Sequence, residues 1–179
     1  GELIIVAAGV TPNVDLIKDT DIKVDEGILV DDKMVTTNND IYAAGDVAQA
    51  YDIVSEDYQS NALWPLAVKQ GKIAGSNMAG NDSEYDGSIP MNSIDFFGFP
   101  VISMGLTTLE NGRYEVLAKQ KNDNWYRKFI LKDNVLKGAI FVGAVEKAGV
   151  ARSLIEEEAD LTNYKQDLLT VDFNIKEFK

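Results

Sequence analysis

Residues 36–47 read "TTNNDIYAAGDV". A cluster of turn formers gives way to a short apolar run, Ile41–Ala44, which stops at Gly45-Asp46. Such a run between turn signals predicts a strand. Open α/β sheets gather their ligands at the carboxyl ends of their strands. A carboxylate at that position, directly after a residue that allows close approach of backbone to ligand, therefore invites a binding site. Taken alone the pair is ambiguous, because an aspartate at a strand end also caps turns.

The residues downstream strengthen the signal. After a loop of under twenty residues the pattern predicts a helix over 65–79. Pro65 suits its first position, where a missing N–H costs nothing, and Gly80 suits the position just past its end. Leu63, Ala67, Gly71, Ala74 and Met78 are expected on one face, widened by Gly75. Their small size serves tight helix–sheet packing or close approach to a ligand equally well. The N-terminus of such a helix aims N–H groups and a positive dipole end at whatever lies near Trp64–Leu66.

Upstream, "LIIVAA" (residues 3–8) is continuously apolar, as a strand buried on both faces of a parallel sheet would be. It runs through Gly9 into a turn at Pro12-Asn13, where Asn13 is expected to brace the turn. Short strand-like pieces occur near 22–24 and 28–30.

Beyond "GNDSEYDGS" (80–88) the texture changes. Strands are expected near 94–97, 101–106, 113–120, 125–132 and 135–143. Asn111-Gly112, "KNDN" and "KDNV" supply hairpin turns, so the last four of these strands read as an antiparallel meander. A helix over 145–158 comes next, with Ala144, Ala148, Ala151 and Ile155 on its inner stripe and Val150 and Leu154 alongside. Asp167-Leu168-Leu169 closes a short last helix. The expected architecture is an α/β portion over residues 1–83, then an α+β domain over 84–179 whose antiparallel sheet carries its helices on one side.

Bulk composition narrows the chemistry. The 179 residues include no cysteine and no histidine. Thiol nucleophiles, disulfides, histidine acid–base catalysis and most zinc sites thereby lose their usual residues. A formal net charge of −12 opposes binding to phosphate backbones, so nucleic acid is not an expected partner. No apolar run approaches the length of a membrane span, and no basic n-region opens the chain. A reducing cytoplasm is the expected setting.

Three stretches in order carry a family resemblance: "LIIVAAGVTPN", "TTNNDIYAAGDVA" and "ALWPLAVKQGKIAGSNMAG". They resemble the C-terminal part of the FAD-dependent pyridine nucleotide–disulfide oxidoreductases: the strand returning to the FAD domain, the late FAD motif, and the flavin-covering helix. "NSIDFFGFPVISMGL", "YRKFILKDNVLKGAIFVGAVEKAG" and "SLIEEEADLTNYKQDLL" resemble the C-terminal domain of the branch that holds rubredoxin reductases, nitrite reductases and NADH oxidases.

The resemblance implies FAD as cofactor and NAD(P)H as substrate, and makes residues 1–83 a fragment of an FAD-binding domain. It gives Asp46 the ribityl hydroxyls, Gly45 the close approach, Val47 a place near the phosphate, and Trp64, Pro65 and Leu66 the pyrimidine edge. Gly9 would pass near the nicotinamide. Hydride would go from nicotinamide to flavin, and electrons on to oxygen, a disulfide or a small redox carrier. The Gly-rich unit that binds the FAD pyrophosphate does not occur in these residues. The isolated chain is therefore expected to be colourless and inactive. Its bare strands are expected to make it a dimer, with strand exchange as one route, or to leave residues 1–60 disordered.

Two other readings stay open. Residues 90–143 could form a non-catalytic dimerisation or carrier-docking surface, which an outward patch of Phe96, Phe97 and Phe99, or of Trp125 and Tyr126, would favour over core packing. A metal-dependent phosphate enzyme using Asp46 would need further carboxylates, and Asp52, Glu56 and Asp57 on the loop after it are the nearest in sequence.

Overall fold

The computed structural model describes residues 1–7, 9–108, 114–170 and 173. They divide into two compact units, residues 1–52 with 57–88, and residues 53–56 with 89–179.

The first unit is built around a small sheet. Strand β1 (Ile28–Leu29) pairs in parallel with β2 (Ala48–Asp52), and β2 pairs antiparallel with β3 (Asp57–Gln59). The registers set Ile28 beside Ala48 and Tyr51 beside Tyr58. Helix α1 (Trp64–Met78) buries Gln70, Ile73 and Ala74. Ile73 and Ala74 join a core with Ile28, Met34, Ala48 and Tyr85. Gln49 is buried with its polar atoms satisfied. Its Oε1 accepts from the Glu26 and Gly27 amides at 3.1 and 3.2 Å, and its Nε2 donates to Asp25 and to the Tyr58 carbonyl.

Several expectations for this unit are corrected. Residues 3–7 form no strand, and Leu3, Ile4, Ile5 and Val6 are exposed. A parallel strand exists only through its ladder, and among the described residues none pairs with this run. Ile41–Ala44 is not a strand either. Tyr42 makes a single bridge to Val35, and a 3-10 turn covers Gly45–Val47. The strand lies one step later, in β2, and the expected polar loop after Asp46 holds the β2–β3 hairpin. The piece near 22–24 is reduced to a bridge between Val24 and Ile28. In α1 the buried face is set by Gln70 with Ile73 and Ala74, so Gly71, Gly75 and Met78 lie outside.

The second unit is a five-stranded antiparallel sheet in the order β4-β5-β8-β7-β6, with β4 Met91–Phe96, β5 Phe99–Gly105, β6 Glu115–Asn122, β7 Trp125–Lys132 and β8 Val135–Val142. Three hairpins have two-residue turns, and the Asp133-Asn134 turn suits its residues best. Asp133 and Asn134 both take positive φ (51° and 67°), and Phe97 and Gly98 do likewise (55° and 86°), as tight hairpins require. Asp123-Asn124 joins β6 to β7, with the Asn124 amide donating to Asn122 Oδ1.

The simple meander is corrected here. Strand β5 pairs with β8, and β6 takes the far edge. The expected Asn111-Gly112 turn lies outside the described residues, and the strands it would join are not neighbours. One reason for the β5–β8 pairing is contact without side chains. A Cβ built on Gly138 would lie 1.9 Å from the Leu106 carbonyl oxygen, so only glycine admits this approach.

Helix α2 (Ala148–Glu156), shorter than the expected 145–158, turns Ala148, Ala151, Leu154 and Ile155 inward, while Ala144 lies before it and does not join the stripe. Asp167–Leu169 forms a 3-10 turn with Leu168 buried. Phe129, Phe141 and Phe173 pack among themselves in this core, Phe129 meeting Phe141 edge-on at 5.5 Å. The fully buried Arg127 guanidinium sits 5.1 Å from the Trp125 ring centre and 5.3 Å from Phe141 and Phe173. It also donates to the Thr170 carbonyl. Trp125 is thus core, and Tyr126 is half-buried.

Lys137 on β8 is buried, and its Nζ lies 2.9 Å from both Glu56 and Glu158. Burial works to lower its pKa, but hydrogen bonds to Glu158 and Glu56 outweigh it and hold the ammonium above the ordinary lysine range. The hydrogen bond from Lys137 in turn holds Glu56 below the ordinary carboxylate range, with Coulombic help from Lys137 and Lys132.

Candidate functional site

The site grows from the turn between the Tyr42 bridge and β2. Ala44 is extended, Gly45 flips to φ +81°, and the chain re-enters extended backbone at Ala48. A side chain disfavours that conformation, which accounts for glycine before the aspartate. Asp46 comes next in the 3-10 turn and is exposed. Among the described residues its carboxylate has no hydrogen bond or ion pair, so its acceptor capacity is unused.

Helix α1 packs against this turn. A Cβ on Gly45 would sit 3.4 Å from Ala67 Cβ, so the first turns of the helix lie directly beside the Gly-Asp backbone. The Leu63 N-cap is extended and makes no side-chain capping bond. Trp64 and Pro65 are exposed and Leu66 is half-buried. The amides of Trp64 and Leu66 are therefore uncapped by any side chain, while Pro65 has none to offer. The expected residues Gly45, Asp46 and Val47 share one turn, and Trp64, Pro65 and Leu66 start the helix packed on it.

Gly9 stands apart from this grouping. It lies in exposed irregular backbone at φ +108°, with open space where a side chain would be. Asn13 braces its own turn, its Oδ1 accepting the Asp15 amide at 3.1 Å.

Sequence reasoning misses two residues. The Gly45 amide donates to Gln70 Oε1 at 2.8 Å, and Gln70 Nε2 lies 3.4 Å from the Tyr85 hydroxyl. Both side chains are buried, and Lys69 Nζ stands 5.0 Å over the Tyr85 ring. A signal is present: Gln70 lies three residues after Ala67 and four before Ala74, on the buried face. A polar residue there has to find a partner.

The acidic residues after Asp46 are otherwise engaged. Asp52 is buried, accepting from Asn61 at 2.9 Å and Ser88 at 3.0 Å; Asp57 accepts the Tyr58 amide, and Glu56 pairs with Lys137. Among the described residues no three carboxylates converge as a metal site, so the metal-dependent reading gains no support.

Residues 1–71 match the family model described as pyridine nucleotide-disulphide oxidoreductase, and residues 90–159 match that of the rubredoxin NAD+ reductase C-terminal domain. The NADH-rubredoxin oxidoreductase of Clostridium acetobutylicum is 35% identical over 160 residues, covering 89% of this chain and 40% of that protein. The epsilon subunit of the NADH-dependent phenylglyoxylate dehydrogenase of Aromatoleum evansii is also 35% identical, over 90% of this chain and 39% of its own length. The crystal structure of the Clostridium acetobutylicum enzyme superposes with a TM-score of 0.73 at 34% identity, over 91% of this chain and 42% of that one. The water-forming NADH oxidase of Lactobacillus brevis shares the fold at a TM-score of 0.77 and 23% identity, over 93% of this chain and 40% of that one. This chain therefore spans about two-fifths of the length of the relatives it matches. Through residues 1–71 and 90–159 the chain belongs to the pyridine nucleotide-disulphide oxidoreductases, the second stretch matching a C-terminal domain of that family.

Proposed function

We propose that the Gly45-Asp46 turn and the start of α1 form one side of a flavin cradle in an FAD-dependent NAD(P)H oxidoreductase. The observation that carries this reading is an exposed, unpartnered carboxylate on a turn locked against an uncapped helix start. Asp46 accepts hydrogen bonds from the ribityl hydroxyls. Gly45 brings the backbone close, and Val47 lends its backbone near the phosphate. The helix start at Trp64, Pro65 and Leu66 lies at the pyrimidine edge, where its amides and dipole favour negative charge. Gly9 passes on the nicotinamide side. When bound, the flavin supplies hydride acceptance from NAD(P)H and electron delivery to an acceptor. This chain's residues bind, orient and stabilise charge, and none needs to transfer a proton.

These 179 residues contain no Gly-rich pyrophosphate-binding unit, so on this reading they supply one side of the cradle and are expected to be inactive by themselves. The test is a hybrid in which these residues replace the matched segment of the Clostridium acetobutylicum NADH-rubredoxin oxidoreductase. Stoichiometric yellow flavin surviving gel filtration is expected; a colourless, folded hybrid refutes the reading.

A second reading is favoured by a specific observation. Phe97 is 91% exposed, Phe96 60% and Phe99 40%, with Ile94 beside them on the β4 edge. Three phenylalanines at those exposures offer about 400 Å² of apolar surface. That is small for a stable dimer but suits the weak encounters of electron carriers, which bury under about 1,200 Å² in total. On this reading the β4–β5 hairpin docks a small redox carrier. Rubredoxin added to the chain should broaden the Phe97 ring resonances, and Phe97→Ser should abolish that response. Concentration-dependent self-association instead would assign the patch to a homodimer.

A further inference from the structure

We propose that Gln70 is a positioning residue for Asp46, a role that rests on the flavin reading and adds to it the part that fixes the acid in place. Gly45 sits at φ +81°, a conformation with little intrinsic preference over its alternatives for glycine. Something must select it. The Gly45 amide is donated to Gln70 Oε1 at 2.8 Å, across 25 residues of sequence. Gln70 is itself almost wholly buried, and its other arm meets the Tyr85 hydroxyl at 3.4 Å. Tyr85 is anchored by its own amide, which donates to the Asp32 carbonyl at 2.6 Å, and by Lys69 over its ring. The Gly45 N–H can only donate, so the Gln70 amide meets it with Oε1 and leaves Nε2 toward the Tyr85 hydroxyl. The Gly45–Val47 turn hangs from Oε1, and Asp46 is the next residue along.

The arrangement has a chemical consequence. With its amide committed to Gln70, Gly45 has no donor left for a cofactor phosphate, so its part in the cradle is close approach alone. Asp46, whose carboxylate is unengaged, supplies the polar contact. The turn thereby divides its labour between a residue that is held and a residue that binds.

The role separates from mere core filling through three variants of the chain itself, read without flavin. Gln70→Met keeps the volume and loses the acceptor. Gln70→Glu keeps an acceptor for the Gly45 amide but loses the donor to Tyr85. Tyr85→Phe cuts only the second arm. Amide hydrogen exchange followed by NMR should show Gly45 exchanging about tenfold faster in Gln70→Met, the loss of one buried bond. The Asp46 and Val47 amide shifts should move with it. Exchange of the α1 amides from Ala67 to Gly75 should stay within about twofold, and Gln70→Glu should restore Gly45 protection. Unchanged Gly45 exchange in Gln70→Met overturns the proposal, as does equal loosening of α1 in all three variants. Failure of the flavin reading appears elsewhere, in cofactor retention by the hybrid, and is distinct from either result.

Discussion

Replacing Gly45 and Gly71 by alanine, one at a time, should move stability in opposite directions. Gly45 is at φ +81°, where an L-residue costs about 1–2 kcal/mol. Crowding adds little, because the new Cβ would meet only Ala67 Cβ at 3.4 Å. Gly71 lies inside α1 with helical backbone, exposed, and nothing within 4 Å of an added Cβ. Alanine there gains about 0.5–1 kcal/mol from helix propensity alone. The two variants should therefore differ by roughly 2 kcal/mol, near 1 M urea at an m of about 2 kcal/mol/M. Urea unfolding monitored at 222 nm suits the comparison, since α1 has 15 residues against nine in α2. Loss of stability in Gly71→Ala would refute the open outer face of α1. It would restore the buried small-residue face that the sequence pattern first suggests.

The second unit offers further tests. Gly138→Ala should destabilise it by about 3 kcal/mol or more, since backbone must move to clear the Leu106 oxygen at 1.9 Å; a Trp125 fluorescence transition at lower urea would record this. The Lys137 cluster should make the same unit sensitive to both pH extremes. Glu56 is held low, so its contribution is complete above the ordinary carboxylate value of 4.5 and is lost as pH falls through its folded pKa. Lys137 is held high, so its contribution is complete below 10.5 and is lost as pH rises through its folded pKa. Glu56→Gln should remove part of the acid-side dependence of the urea midpoint, and an unchanged profile would count against the pairing.

The second unit is the more legible in sequence, for physical reasons. Strands β7 and β8 bury most of their residues within one antiparallel sheet, and "KDNV" sets a tight turn by local chemistry alone. The Ala148–Ala151–Ile155 stripe likewise needs only helix geometry. The order of β5 and β8 cannot be read this way, because it depends on a glycine contact between residues more than thirty apart in sequence.

In the first unit, "LIIVAA" has strand composition, but composition cannot supply a ladder partner. The pattern places a strand at Ile41–Ala44, one step early, for a related reason. The apolar run precedes the turn, whereas the pairing with β1 comes after it. The Gly45-Asp46 signal itself is readable, because positive φ and a free carboxylate are local properties. Gln70 escapes notice, since the small residues around it dominate the pattern and its partner lies 25 residues away.

Asp46 is the residue on which the proposed cradle stands or falls. The most direct measurement is the FAD dissociation constant of the hybrid flavoprotein, carrying Asp46 or Asp46→Ala, by fluorescence quenching. Losing hydrogen bonds to a charged acceptor, at about 1.5–3 kcal/mol each, should weaken FAD about 10- to 100-fold with the fold retained. Affinity within about twofold of the parent would contradict a ligand role for Asp46.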